Sequence, residues 1–188
     1  MLFLDWTVTF ILPAIILSIY AQVKVSTTFA KYSKVYSKMS ISGKEAAKLI
    51  LDSEIPNNEI LIQPIAGELT DHYDPSTKTL RLSENVYDST SIAAIGVAAH
   101  EAGHAIQHER GYVPLVIRNV FVPIASFGSS LFFPLLFLGF LFSYKLLIDL
   151  GILLFLSAVI FHIITLPVEL NASSRAANLL LKKGIVTD

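Results

Sequence analysis

The sequence predicts an α-helical membrane protein: three transmembrane helices and a small cytosolic α+β domain built around one buried helix. Three observations predict it. The 188 residues are 53% hydrophobic and 15% charged, against roughly 25% charge in an ordinary soluble domain. Three apolar runs reach the roughly 20 residues that cross a hydrocarbon core. The polar stretches between them carry helical and strand-like hydrophobic periods in turn. Net charge is −1, which removes the electrostatic case for a nucleic-acid partner. Cysteine is absent, so disulfides, thiolate ligands and a cysteine nucleophile are all excluded. Any metal must be held by His, Asp or Glu.

The first apolar run is Leu2–Val23. Its start carries the acidic Asp5 rather than the basic residues of a cleaved signal, so residues 1–23 read as a retained anchor. The second run is Asn119–Phe142 and the third Leu146–Val168, joined by the loop Ser143–Asp149. Residues 119–168 thus form a transmembrane hairpin. Residues 24–118 hold ten Lys and Arg, residues 169–188 three, the loop one and Met1–Leu4 none. The positive-inside rule then places both polar regions in the cytosol and the N-terminus outside, in a multi-pass plasma-membrane protein.

Within 24–118, Lys24–Met39 has Phe29, Tyr32, Val35, Tyr36 and Met39 at helical spacing, with Lys31, Lys34 and Lys38 opposite. It reads as an amphipathic helix on the membrane surface. Ser42 and Glu45 stand in capping-box spacing before a helix with Ala46, Ala47, Leu49, Ile50 and Leu51 as its apolar face, stopped by Pro56. Glu59–Ile65 reads as a strand. Glu68–Tyr73 and Lys78–Ser83 flank Asp74-Pro75-Ser76-Thr77, a type I turn signal, and complete a small sheet. A helix over 91–110 follows, capped by Ser89 or Ser91 and ended by Gly111. It is apolar nearly all round from Ile92 to Ala99, which predicts burial.

That helix carries His100-Glu101-Ala102-Gly103-His104. With five His and fifteen Asp and Glu in 188 residues, chance yields the pattern in roughly one such chain per hundred. Residues four apart differ by about 40° around a helix and 6 Å along it, so two imidazoles can converge on one zinc. Glu101 lies about 100° away. It cannot bind in the same plane, but it can reach a metal-bound water and take its proton. The domain is therefore expected to be zincin-like.

Two histidines need a third ligand. His108 lies about 12 Å along the helix from His100, too far to share the ion comfortably, and reads as a cap or surface residue. The metzincin spacing would need Gly at 107 and His at 110, where this chain has Gln107 and Arg110. Glu169 is the strongest candidate. The hairpin returns the chain to the face it left, which puts Glu169 on the same side and at the same depth as His104. It follows Pro167 and opens a helix, so an ordinary helix-start carboxylate is the alternative.

The stretches Ala98–His108, Leu69–Tyr87 and Glu169–Leu180 together resemble the YugP-like family of membrane neutral zinc metallopeptidases. The resemblance covers nearly the whole chain. More distantly, the sequence is similar to membrane gluzincins of the HtpX and CAAX-protease type. The resemblance implies one zinc(II) per chain at His100, His104 and Glu169, with Glu101 as general base. Many gluzincins place Asp four residues after the ligand Glu to orient a histidine. Here that position is Ser173, which accepts a hydrogen bond without charge, so support is expected from it, from Asn171 or from another residue. The resemblance also implies a further apolar segment beyond Asp188.

Three protein ligands leave an open position, the mark of a catalytic zinc. The expected reaction is peptide hydrolysis by a metal-activated water with a Glu base. His72, Tyr73, Tyr112 and Arg175 are candidates to stabilise the tetrahedral intermediate, with Arg175 favoured. Lys78–Ser83 could offer its edge to an extended peptide. His162, inside the third run, is expected to bond across helices to Ser126, Ser129 or Ser130. Expected partners are the lipid bilayer, protein or peptide substrates from the membrane, and membrane-protein partners or further copies of the chain. The rival readings are a non-catalytic scaffold that regulates other proteases and a small metal transporter. Three spans with one histidine make a poor polar pathway, and a scaffold has no need of Glu101.

Overall fold

In the computed structural model residues 6–186 are described, so the expectations for Met1–Asp5 lie outside them. Helix α1 spans Trp6–Tyr32 and α2 spans Gly43–Glu54. Ser42 caps α2: its hydroxyl accepts from the Glu45 amide while the Glu45 carboxylate accepts from the Ser42 amide. The reciprocal bonds satisfy two orphan donors and are worth about 1 kcal/mol. Strands β1 (Leu61–Ile65), β2 (His72–Asp74) and β3 (Thr79–Ser83) precede a short helix α3 (Glu84–Tyr87). Helix α4 spans Ile92–Glu109, α5 Val113–Leu141 and α6 Lys145–Lys182.

The sheet is mixed, in the order β1-β3-β2. β1 pairs parallel with β3 in the register Leu61 opposite Thr79, and β2 pairs antiparallel with β3, His72 opposite Arg81. β3 is therefore central. It cannot offer an edge to a peptide as the sequence suggested, and although Leu80 and Leu82 alternate with polar residues as in a half-buried strand, Thr79 and Ser83 are buried along with them. The sheet's two edges are β1 and β2. The β2–β3 turn is held by Asp74, which accepts from the Ser76 amide and the Ser76 and Thr77 hydroxyls and pairs with Arg81 at 3.0 Å.

The core lies between α2, the sheet and α4. Ala46, Ala47, Ile50 and Leu51 of α2 meet Leu80, Leu82, Ala94, Ile95, Ala98, Ala102 and Ile106. Leu49, assigned to this face from sequence, is 45% exposed; one step of 100° carries it out of the stripe.

Among the described residues, three helices are long and apolar enough to cross a membrane: Ile11–Tyr32, Val113–Leu141 and Lys145–Lys182. Their limits correct the sequence reading in three places. The amphipathic helix expected over Lys24–Met39 is the end of α1, which stops at Tyr32. Beyond it the backbone bonds to the segment before α4 instead, Ser37 N–H to Thr90 and Ile92 N–H to Val35. The α5–α6 connection is only Phe142–Tyr144, because α6 starts at Lys145, where Lys145 pairs with Asp149 one turn on. Finally, no helix opens at Glu169. α6 runs unbroken through Pro167, whose lost donor is tolerable in a long apolar helix packed on a neighbour.

α5 and α6 approach closely through Gly128, Gly139 and Gly151, each filled against by the partner helix, the small-residue packing that membrane helices use. His162 points outward, edge-on to Phe161. Ser129 and Ser130 do not bond to it; both donate to the Ser126 carbonyl.

Candidate metal centre

α4 turns its alanine-rich stripe to the core, so His100, Glu101 and His104 emerge on the side away from α2. Ser91 caps the helix by accepting from the Ala94 amide, and Gly111, with φ +60°, follows its end. Exposed ion pairs tie its last turn and C-cap down, Lys78 to Glu109 and Arg110 to Glu54, each worth under about 1 kcal/mol.

α6 crosses this exposed side. The crossing is close at Gly103, where a Cβ would stand 2.9 Å from the Ala172 carbonyl oxygen. Residues 169, 172, 173 and 176 share one face of α6 by helical spacing. Ala172 and Ala176 are buried there, and Glu169 and Ser173 flank the contact.

Glu169 Oε2 lies 3.2 Å from His100 Nε2 and 3.4 Å from His104 Nε2. Tetrahedral zinc with ligands at about 2.0–2.1 Å separates its donors by about 3.3 Å, so the donor set fits such an ion. Among the described residues this is the one group of three or more His, Asp or Glu side chains gathered for a metal.

Both imidazoles are oriented through their other nitrogen. His100 Nδ1 lies 3.1 Å from Ser173 Oγ, and His104 Nδ1 lies 3.0 Å from Gln107 Oε1. The amide of Gln107 is fixed in turn. Its Nε2 donates to the Val168 carbonyl at 2.9 Å and to Asn171 Oδ1 at 3.0 Å. Its oxygen therefore faces His104 Nδ1 and accepts a hydrogen bond from it, which turns Nε2 toward Glu169. Gln107 is wholly buried, so an unmade bond there would cost about 1–3 kcal/mol.

Glu101 stands beside the triad. Burial pushes its carboxyl above the usual range, against the opposing pull of His104 and His100. A cavity of about 250 Å³ opens here, lined by Glu101, the three donor residues, His72, Tyr73, Pro75, Leu115, Arg118 and Asn119. A second, larger and almost wholly apolar groove of about 580 Å³ reaches His100 and Glu101 from the other direction. It runs between α1 (Val25, Phe29, Tyr32) and α4 (Ile92, Gly96, Val97), with Leu69 at its rim.

The remaining sequence candidates fall in three places. His72 lines the cavity, its Nδ1 donating to the Thr70 carbonyl at 2.8 Å. Tyr73 also lines it, but its phenol, whose pKa burial pushes up to about 12, is hydrogen-bonded to His108 Nδ1 at 2.9 Å. His108 is thus Tyr73's partner and stands outside the donor group. Arg175 and Tyr112 do not line the cavity. Arg175 Nε donates to Asn171 Oδ1 at 2.7 Å, so Arg175, Asn171 and Gln107 form a chain behind His104. Sequence reasoning missed Gln107, Arg118 and Asn119. Gln107 had a findable signal, one helical turn after His104. Arg118 had only been counted toward orientation.

The family described as "Putative neutral zinc metallopeptidase" matches residues 7–188. A protein of Bacillus subtilis (strain 168), "Putative membrane protease YugP", is 47% identical over 187 residues, covering 99% of this chain and 80% of that protein. No solved structure matches. The resemblance read from the sequence and the match over nearly the whole chain agree, and the chain belongs to this family of neutral zinc metallopeptidases.

Proposed function

We propose that this protein is a membrane-embedded, zinc-dependent endopeptidase with a zincin-like domain, in which Glu101 is the general base. The observation that carries the proposal is the convergence of His100, His104 and Glu169 beside the buried Glu101 in one cavity. A zinc ion held by those three residues would acidify a water molecule and polarise a peptide carbonyl. The chain's own residues do the rest. Ser173 and Gln107 fix the two imidazoles with Nε2 turned inward. Glu101 accepts the proton of the attacking water and delivers it to the departing amine. Its raised affinity for a proton suits it to both halves of that task. A scaffold that had lost catalysis would gain nothing from a buried carboxylate at this point, since burial without use is costly.

Membrane embedding is supported by helix length. Lys145–Val168 of α6 would span about 36 Å at 1.5 Å per residue, already more than the ~30 Å hydrocarbon core. Glu169–Lys182 then projects beyond it for about 21 Å. The site thus sits at a membrane surface, on the cytosolic side by the distribution of Lys and Arg, with the N-terminus outside. In this reading residues 24–118 carry the peptidase domain with its helix over 91–110, and residues 169–188 supply the third ligand. The apolar groove along α1 favours substrates that are membrane proteins or peptides leaving the bilayer.

The test is zinc analysis and peptide hydrolysis on the full chain in detergent. Glu101→Gln is expected to keep about one zinc per chain and to lose activity by at least about 100-fold. Full activity in that variant would remove the peptidase reading.

A further inference from the structure

The tetrahedral intermediate of peptide hydrolysis places negative charge on the former carbonyl oxygen, and a second donor beside the metal site would stabilise it. Arg118 is the sole Lys or Arg among the residues lining the 250 Å³ cavity. It sits in the second turn of α5, just after the short turn between α4 and α5, and buried Leu115 anchors the preceding turn. Its Nε is buried without a hydrogen-bond partner, alone in that respect among the described side chains. Among the described residues it forms no ion pair. A buried guanidinium N–H without an acceptor is costly, and the half-buried Arg118 side chain lines a cavity in which an acceptor could bind.

The other candidates are already engaged. Arg175 is outside the cavity and bound to Asn171. Tyr73 is bound to His108. His72 spends one ring nitrogen on Thr70.

We propose that Arg118 is a catalytic residue: its guanidinium receives the scissile carbonyl oxygen and stabilises the oxyanion. This rests on the peptidase reading. In the step, the water oxygen bonds to the carbonyl carbon, the C=O π pair moves to oxygen, and the water proton passes to Glu101. On collapse the C–N bond breaks and Glu101 returns the proton to the amine, so water and amide become acid and amine. Arg118 only donates hydrogen bonds in this step. Asn119, next to it on the same wall, offers an additional amide.

The experiment uses the zinc-loaded full chain in detergent, as wild type, Arg118→Gln, Arg118→Lys and Glu101→Gln. Zinc content, kcat and KM on fluorescein-labelled casein are measured. So is the affinity, by calorimetry, of a phosphinic peptide whose tetrahedral anion mimics the hydrated carbonyl. Arg118→Gln is expected to keep its zinc, to lose about 100- to 1,000-fold in kcat with KM within threefold, and to bind the phosphinic peptide weaker by a similar factor. Arg118→Lys is expected to recover part of both. The inference is overturned if Arg118→Gln keeps kcat and phosphinic affinity within threefold, if wild type does not bind the phosphinic peptide, or if the variant changes only lipid association. An active Glu101→Gln would instead remove the peptidase reading itself.

Discussion

Gly103 of α4 and Ala172 of α6 meet so closely that a side chain on Gly103 would enter the Ala172 backbone, 2.9 Å from its carbonyl oxygen and 3.2 Å from its Cα. The glycine lies between the two metal-directed histidines, and the contact sets the distance at which Glu169 faces them. Gly103→Val is therefore expected to push α6 away and cut zinc retention to well below half of wild type, though none of the donor residues is altered. Zinc content by atomic emission on the purified protein checks this.

Ser173 holds His100 at Nδ1. Removing such an outer-sphere partner typically weakens metal affinity 10- to 100-fold. Ser173→Ala is expected at the lower end of that range, because serine supplies no charge. Ser173→Asp, which adds charge at the same spot, is expected to bind zinc more tightly than wild type. Competition titration with a chromophoric chelator resolves both.

Gln107 ties His104 to the α6 backbone at Val168. Gln107→Leu leaves His104 Nδ1, the Val168 carbonyl and part of Asn171 without their partner. The expected cost is about 1–3 kcal/mol of stability, with weaker zinc retention. Thermal unfolding in matched detergent, with and without added zinc, is expected to show the lower midpoint in both conditions. A drop confined to the zinc-loaded state would mean that Gln107 acts through the metal alone.

Gly96 lines the apolar groove between α1 and α4, and a Cβ there meets no atom within 4 Å. Gly96→Leu is expected to fill the groove without disturbing the donor residues. Hydrolysis of a membrane-tethered peptide is expected to fall about tenfold or more, since a lost apolar side-chain site is worth about 1.5–3 kcal/mol. Zinc content is expected to stay at the wild-type level. Equal rates on tethered and soluble peptides in wild type would count against membrane-derived substrates.

Much of the candidate site was legible because its signals are local. The His100–His104 spacing, the Ser91 cap and Gly111 mark one helix and put two imidazoles on one face. Ser173 was legible through its offset from Glu169. What stayed hidden depends on distant contacts. Gln107 reaches Val168 and Asn171, 61 and 64 residues away, and no periodicity announces such a bond. Arg118 read as a span-flanking charge until the fold placed it on the cavity wall. Helix ends were misread where tertiary bonding outweighs local pattern. The Lys24–Met39 stretch keeps its helical period to the end, yet its last part pairs with Thr90–Ile92. Pro167 signals a stop, yet α6 passes through it. Leu80 and Leu82 alternate with polar residues as in a half-buried strand and lie in the core, yet Thr79 and Ser83 are buried as well.

The most direct measurement is zinc stoichiometry on the full chain in detergent, for wild type, Glu169→Ala and Glu101→Gln in parallel. A three-donor site with a separate base gives about one zinc per chain in wild type and Glu101→Gln, with loss in Glu169→Ala. Full retention in Glu169→Ala, or no zinc in wild type after reconstitution, would contradict it.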